Sequence, residues 1–263
     1  VAIDVPKFVW KDGKPAVLVE AAATNLAIQS QTFSNSIIWI RSNSRVLDNV
    51  EVAPDGTMTA DKLIARDVTG IHCLRQVLSI SNPSTVSCYL KEGEYRYAYV
   101  GIERSSNSTV QSAIVDLQTG LITTSFSITG TPMFYVVPAG NGWYRLVLTQ
   151  ILNSTGASNV FTIGISDDGT YNNTEFQRPS FLGDDTSGIY IWGAQLETGS
   201  TASSYIKTEA TTETRDADVI TKTGASALIG QTAGSIIFTF DAGDDFDLYI
   251  DEVAATGLSG MTK

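Results

Sequence analysis

Short runs of β-branched and aromatic residues recur about every 8–12 residues along this chain, parted by clusters of Gly, Asn, Asp and Ser. No stretch carries the 3.6-residue apolar period of a long amphipathic helix. A chain patterned this way folds as sheets, and the turn spacing is that of a sandwich or barrel. The runs predict strands at Ser36–Arg41, Val46–Ala53, Thr57–Ile64, Ile71–Ile80, Thr85–Lys91 and Tyr95–Glu103. Further strands fall at Thr109–Asp116, Leu121–Ser127, Met133–Val137, Trp143–Leu152, Asn159–Ser166 and Gly188–Glu197. Pro54-Asp55-Gly56, Asn141-Gly142 and Asp168-Gly169 each set a residue tolerant of positive φ beside a turn former.

The 263 residues suffice for one large all-β domain or two small ones, and 43% hydrophobic residues can build its core. Lys and Arg total 17 against 28 Asp and Glu, a net charge of −11. Nucleic-acid binding needs a basic face to displace phosphate counterions, so no nucleic-acid partner is expected. A polybasic attachment to lipid is disfavoured in the same way, and no apolar run reaches the ~18 residues of a membrane span. Two cysteines and one histidine make neither a disulfide framework nor a zinc site. The chain opens on Val1 without a signal-peptide pattern, which is expected of a processed or partial product.

The ends differ from the middle. Residues 1–23 read as an N-terminal arm, with a turn at Lys11-Asp12-Gly13-Lys14 and a strand at Ala16–Glu20, forming a hairpin or lying on a neighbour. Residues 24–207 form the main domain. Residues 208–263 complete a Thr- and Ser-rich linker and then offer strands at Ser235–Phe240 and Phe246–Asp251. A lone two-stranded hairpin is marginal in water, so this C-terminal extension is expected to dock on the main domain or on another subunit.

Several tracts together resemble a domain of bacteriophage virion proteins related to jelly-roll carbohydrate-binding modules. They include Ala23-Thr24-Asn25-Leu26, Ser30-Gln31-Thr32-Phe33-Ser34-Asn35, Ala53-Pro54-Asp55-Gly56-Thr57 and Asn141-Gly142-Trp143-Tyr144-Arg145. The most specific runs from Ser187 through Gly188-Ile189-Tyr190-Ile191-Trp192-Gly193-Ala194-Gln195-Leu196-Glu197 to Gly199, followed by Ser204-Tyr205-Ile206-Lys207-Thr208. Lys207 departs from the family, which has Pro there. The resemblance implies an all-β, two-sheet jelly-roll β-sandwich on a tail fibre, head fibre or capsid decoration. It also implies other virion proteins as partners, a homo-oligomer with trimer as the fibre stoichiometry, and host-surface polysaccharide as ligand. Such a particle is extracellular and is assembled in the host cytoplasm. The tail also resembles the outer strands of a second lectin-like sandwich without its middle (Gly224–Phe240 and Phe246–Val253).

Catalytic signatures are sparse, and the expectation is a chain without enzymatic activity. His72 is the sole imidazole and no nucleophile elbow accompanies it, so a packed or surface histidine is expected. A glycosidase needs two facing carboxyls, for which Glu92, Glu94, Glu103, Asp116, Asp167, Asp168, Asp184 and Asp185 are candidates. Asp167-Asp168-Gly169 and Gly183-Asp184-Asp185 read first as solvated turns. No cofactor is expected. A structural calcium is the one ion in view; Gln195 and Glu197 share a strand face near where such modules place ligands, but no ligand set is assigned.

Tyr95, Tyr97 and Tyr99 alternate on one predicted strand, spaced ~6.5–7 Å on one face, which suits the pyranose rings of a glycan. Arg96 joins them as a candidate, although alternation points it to the other face. The alternative is that the three tyrosines line the core. Phe8 and Trp10 in the arm, and Trp39 in the apolar run Ile37-Ile38-Trp39-Ile40, are candidates for assembly or anchoring contacts. Trp39 fits either a buried strand or one covered by a neighbouring subunit. Trp143 and Trp192 read as core or intersheet wedges. Cys73 and Cys88 would point to opposite faces of a simple hairpin, so buried free thiols are expected.

Overall fold

The computed structural model describes residues 7–11, 14–78, 83–104, 109–127, 133–150, 159–172 and 178–219. Its strands, in chain order, begin with β1 (Lys7–Lys11), β2 (Lys14–Leu18), β3 (Ala23–Asn25), β4 (Ile40–Ser42), β5 (Ser44–Glu51) and β6 (Ala60–Ala65). Next come β7 (Thr69–Gly70), β8 (Cys73–Leu78), β9 (Ser84–Lys91), β10 (Tyr97–Arg104), β11 (Thr109–Asp116) and β12 (Leu121–Ser127). The last are β13 (Met133–Gly140), β14 (Trp143–Gln150), β15 (Asn159–Ser166), β16 (Phe181–Leu182), β17 (Gly188–Thr198) and β18 (Glu213–Arg215).

The chain divides into two units, Ala22–Asp216 and a second formed by Val1–Ala21 with Ala217–Lys263. In the second, β1 and β2 form an antiparallel hairpin that pairs Lys7 with Leu18 and Lys11 with Lys14. The backbones of Phe8 and Trp10 lie on β1, opposite Val17 and Pro15. Their side chains lie outside the described residues, as do the predicted strands Ser235–Phe240 and Phe246–Asp251.

The larger unit is a β-sandwich of two six-stranded antiparallel sheets. Sheet I runs β12-β11-β10-β15-β8-β4 and sheet II runs β13-β14-β9-β17-β6-β5. Period-two alternation sends Ala98, Val100, Ile102, Phe161, Ile163 and Ile165 of sheet I into the space between the sheets. Val86, Cys88, Leu90, Leu146, Leu148, Ile189 and Ile191 meet them from sheet II. The turns follow the sequence. Asn141 and Gly142 take φ of 51° and 79° to close the β13–β14 hairpin, and Gly56 takes 85° in the turn where Ala53 N–H donates to Thr57 O.

Three expectations are corrected. Ser36–Arg41 is a turn that only at Ile40 enters a strand, because Asn35 captures the amides that a strand would present. Its carbonyl accepts from Ile38 and Trp39 N–H at 3.2 and 2.8 Å, and its Oδ1 accepts from Ile37 N–H at 3.2 Å. Trp39 is therefore no anchoring residue. It is fully buried against Phe33 and Phe161 and donates Nε1–H to Gln29 O at 3.0 Å. Second, β8 and β9 are not a hairpin but belong to different sheets, which separates the buried free thiols Cys73 and Cys88. Third, Trp143 and Trp192 are core residues as expected but not intersheet wedges, since they are buried on the outer face of sheet II in a cluster of their own.

Candidate functional site

The predicted tyrosine row does not assemble. Strand β10 begins only at Tyr97, because Glu94 and Tyr95 N–H both donate to Gly188 O, at 3.0 and 3.2 Å. Alternation thus stops short of Tyr95, which packs on the intersheet core with its ring 5.1 Å from that of Phe181. Tyr97 and Tyr99 do share the outer face of sheet I, in a cluster with Cys73 and Ile114. That face is covered: Tyr171 packs on it and receives a hydrogen bond from Ser112 Oγ at 2.8 Å. Tyr99 is 1% exposed and cannot meet a glycan. Arg96 turns to Asp116, with Nε–Oδ1 at 2.8 Å and Nη2–Oδ2 at 2.5 Å, while its guanidinium stands 5.3 Å from the centre of the Tyr97 ring. The guanidinium's hydrogen bonds hold the Asp116 carboxyl well below the usual carboxylate range.

The other sequence candidates are occupied. Both ring nitrogens of buried His72 face main-chain carbonyls, Nδ1 at 2.6 Å from Asn43 O and Nε2 at 3.0 Å from Phe181 O. Glu103 is buried with Arg178 Nη1 at 2.9 Å, and burial pushes its pKa up against the pull of that arginine. Asp184 accepts from Ser187 and Thr186 in a turn, and the Ser187 hydroxyl is the main reason its carboxyl stays strongly acidic. Gln195 and Glu197 share a face as expected, but they clamp the returning chain. Gln195 Oε1 accepts from Ile206 N–H at 2.7 Å, and Glu197 Oε2 accepts from Ser203 N–H at 3.0 Å. Among the described residues, no three His, Cys, Asp or Glu side chains gather as a metal site.

What the fold does bring together is a polar pocket of about 430 Å³, lined by Gln29, Gln31, Thr32, Asn49, Thr59, Lys207, Glu209 and Ala210. Its walls are fixed from below. Gln29 and Asn49 both hold left-handed backbone, at φ of 53° and 54°, conformations that cost energy unless the surroundings impose them. Gln29 N–H donates to Glu209 O at 2.7 Å and its carbonyl takes the Trp39 indole. Buried Asp61 holds the second wall, accepting from Asn49 N–H at 2.9 Å and from Phe33 N–H at 3.0 Å. Desolvation pushes the pKa of that carboxyl up to about 6.

An aromatic cluster braces the same walls. Trp192 donates Nε1–H to Thr59 Oγ1 at 3.0 Å, and the Tyr205 hydroxyl hydrogen-bonds Ser30 Oγ at 2.6 Å. The Trp192 and Tyr205 rings lie 4.5 Å apart, with Tyr89 at 5.3 Å from Trp192. A β-bulge at Gly193, φ 62°, keeps Trp192 on the outer face while Leu196 returns to the core. Three amide side chains and the Thr32 hydroxyl thus line the pocket with groups that donate and accept hydrogen bonds, while Thr59 Oγ1 is already paired with Trp192 and Thr57. Lys207 lines the pocket with Nζ 3.2 Å from Glu209 Oε1.

Several solved chains are similar to this one. Among them is the enzymatically active domain of bacteriophage CBA120 tailspike protein 4, with 14% identity over 65% of this chain and a TM-score of 0.35. The match spans 21% of that chain's own length. No protein-family profile and no curated protein matches. The expectation of a chain without enzymatic activity is withdrawn, since the matched domain is an enzymatically active one. At that TM-score the likeness assigns no reaction to the present chain.

Proposed function

We propose that this chain is a bacteriophage virion protein of a tail or head fibre, or a capsid decoration, whose sandwich binds saccharide at the host surface. The ordered motifs from Ala23 to Thr208 support its place on a phage particle. The observation that carries the binding reading is the gathering of the Gln29, Gln31 and Asn49 amides with the Thr32 hydroxyl in one pocket. Amides bridge vicinal hydroxyls because each has an acceptor oxygen and two donor hydrogens. A pocket of this size lies within the ~300–1,000 Å³ range of small-molecule sites.

A single site of this kind binds weakly: a millimolar Kd is about −4.1 kcal/mol. Display of several copies on a particle raises apparent affinity by ~10²–10⁴ with no new contact, which is why we propose a homo-oligomer, as a trimer in a fibre. The test is a neutral glycan array probed with the full chain and with Gln31→Ala and Asn49→Ala, folding checked by circular dichroism. Glycan signal that both variants lose supports the reading. No signal from the parent chain, or equal signal from the folded variants, overturns it.

A further inference from the structure

A second pocket, of about 530 Å³, is lined by Arg41, Asn43, Ser44, Arg45, Arg66 and Val68. In a chain of net charge −11, three guanidinium groups at one surface depression are a local inversion of sign.

The polar side chains that are not arginine are spent. Asn43 Nδ2 donates to Ile71 O at 3.2 Å, and Ser44 Oγ donates to Cys73 O at 2.9 Å. Arg45 and Arg41 are positioned by uncharged carbonyls, and Arg66 by one long ion pair. Arg45 Nε and Nη2 donate to the backbone carbonyl of Asp185, at 3.2 and 2.6 Å, which carries no charge. The Asp185 carboxylate forms an ion pair with Arg66 Nε at 3.6 Å, longer than a hydrogen bond, and the Arg66 side chain is 59% exposed. Arg41 donates Nη2–H to Ser34 O at 2.5 Å, and its Nε is buried without a hydrogen bond. Among the described residues, one ion pair, Arg66 with Asp185, is made by the three lining arginines. Guanidinium offers only donors, in a planar fork that fits the paired oxygens of a carboxylate or phosphate.

We propose that this pocket binds an oxyanion carried by a sugar, a uronate carboxylate or a sugar phosphate. The anion is argued from the arginines alone. That a sugar carries it rests on the saccharide-binding reading above. A fixed cationic pocket on an acidic chain admits one charged group where the arginines converge and repels polyanions elsewhere, so it adds selectivity to a weak polar site.

The experiment titrates the full chain by calorimetry with trigalacturonate, glucose 6-phosphate, inorganic phosphate and neutral maltotriose. It compares the parent with Arg66→Gln, Arg66→Lys and Asn49→Ala. The expected result is that at least one anionic sugar binds about tenfold tighter than maltotriose. That advantage falls about tenfold in Arg66→Gln, is only partly kept in Arg66→Lys, and shrinks between about 0.05 and 0.5 M salt. Asn49→Ala weakens maltotriose and leaves the charged sugar's affinity for the arginine pocket at the parent value, so the two pockets fail separately. Equal binding of charged and neutral sugars, or an anion preference unchanged in Arg66→Gln, overturns the proposal. Inorganic phosphate binding as tightly as both anionic sugars supports the anion site and overturns the sugar.

Discussion

Tyr99 on β10 lies over Gly164, its cross-strand partner on β15, and a Cβ at position 164 would overlap the phenol ring. Gly164 is thus the vacancy into which the buried ring fits, on the covered outer face of sheet I. Gly164→Ala is expected to force Tyr99 off its rotamer and to cost about 1–3 kcal/mol. Tyr99→Ala empties the site and is expected to cost about 3–5 kcal/mol. Urea unfolding of both variants checks this. Fully stable Tyr99→Ala protein would return that tyrosine to the surface.

The buried Asp61 carboxyl links stability to pH. Its folded-state pKa of about 6 lies above the ~3.9 of an unfolded aspartate, so the folded chain binds the extra proton between those values. Its contribution is therefore present below about pH 4, is lost as pH rises through 6, and is level above. Between about pH 4.5 and 7 the loss is about 2 kcal/mol, on ~1.4 kcal/mol per pKa unit. The stability difference between the parent and Asp61→Asn should change by that amount over the same window, measured by urea unfolding at both pH values. A difference independent of pH would refute the assignment.

The sandwich was legible where a rule of local chemistry met no competitor. Thr109–Asp116, Leu121–Ser127 and Asn159–Ser166 are strands to the residue, and Asn141-Gly142 closes its hairpin as its composition requires. Apolar density failed at Trp39, because a buried turn and a buried strand both place such residues inside, and the Asn35 capture of three amides is not an apolar signal. Alternation failed at Tyr95 because Gly188 O, distant in sequence, takes the amides before the strand begins. The pocket was invisible for a related reason. Gln29, Asn49, Thr59 and Lys207 meet only through sheet register and the returning chain, and no local pattern in the sequence marks them.

Glu197 holds the returning segment in place. Its Oε2 accepts from Ser203 N–H and from Gln195 Nε2–H, its Oε1 accepts from Ser203 Oγ, and Arg145 Nη1 donates to Ser203 O at 2.6 Å. Glu197→Ala leaves the Ser203 amide without its acceptor, a loss of about 1–3 kcal/mol. Hydrogen exchange at Ser203 should then accelerate about tenfold or more, while amides of β11 keep their parent rates. Unchanged exchange at Ser203 would show that the clamp lies elsewhere.

Asn25 ties three parts of the chain with one side chain. Its Nδ2 donates to Ala194 O at 3.1 Å and to Ile206 O at 2.8 Å, and its Oδ1 accepts from Ala27 and Leu196 N–H, both at 3.0 Å. It is fully buried, so water cannot replace it. The amide is the one side-chain group of this size that donates twice and accepts twice. Asn25→Asp keeps the shape but sets a carboxylate against two carbonyls, so it is expected to cost more than Asn25→Ala, which leaves four main-chain groups unpaired at about 1–3 kcal/mol each where water does not enter. Charge is what separates the two variants: lowering the pH to about 4 protonates the aspartate, restores one donor, and should recover part of the loss in Asn25→Asp but none in Asn25→Ala. Thermal melts of both variants at pH 4 and pH 7 measure that difference, and parallel losses at both pH values would mean that packing, not the four hydrogen bonds, holds the junction.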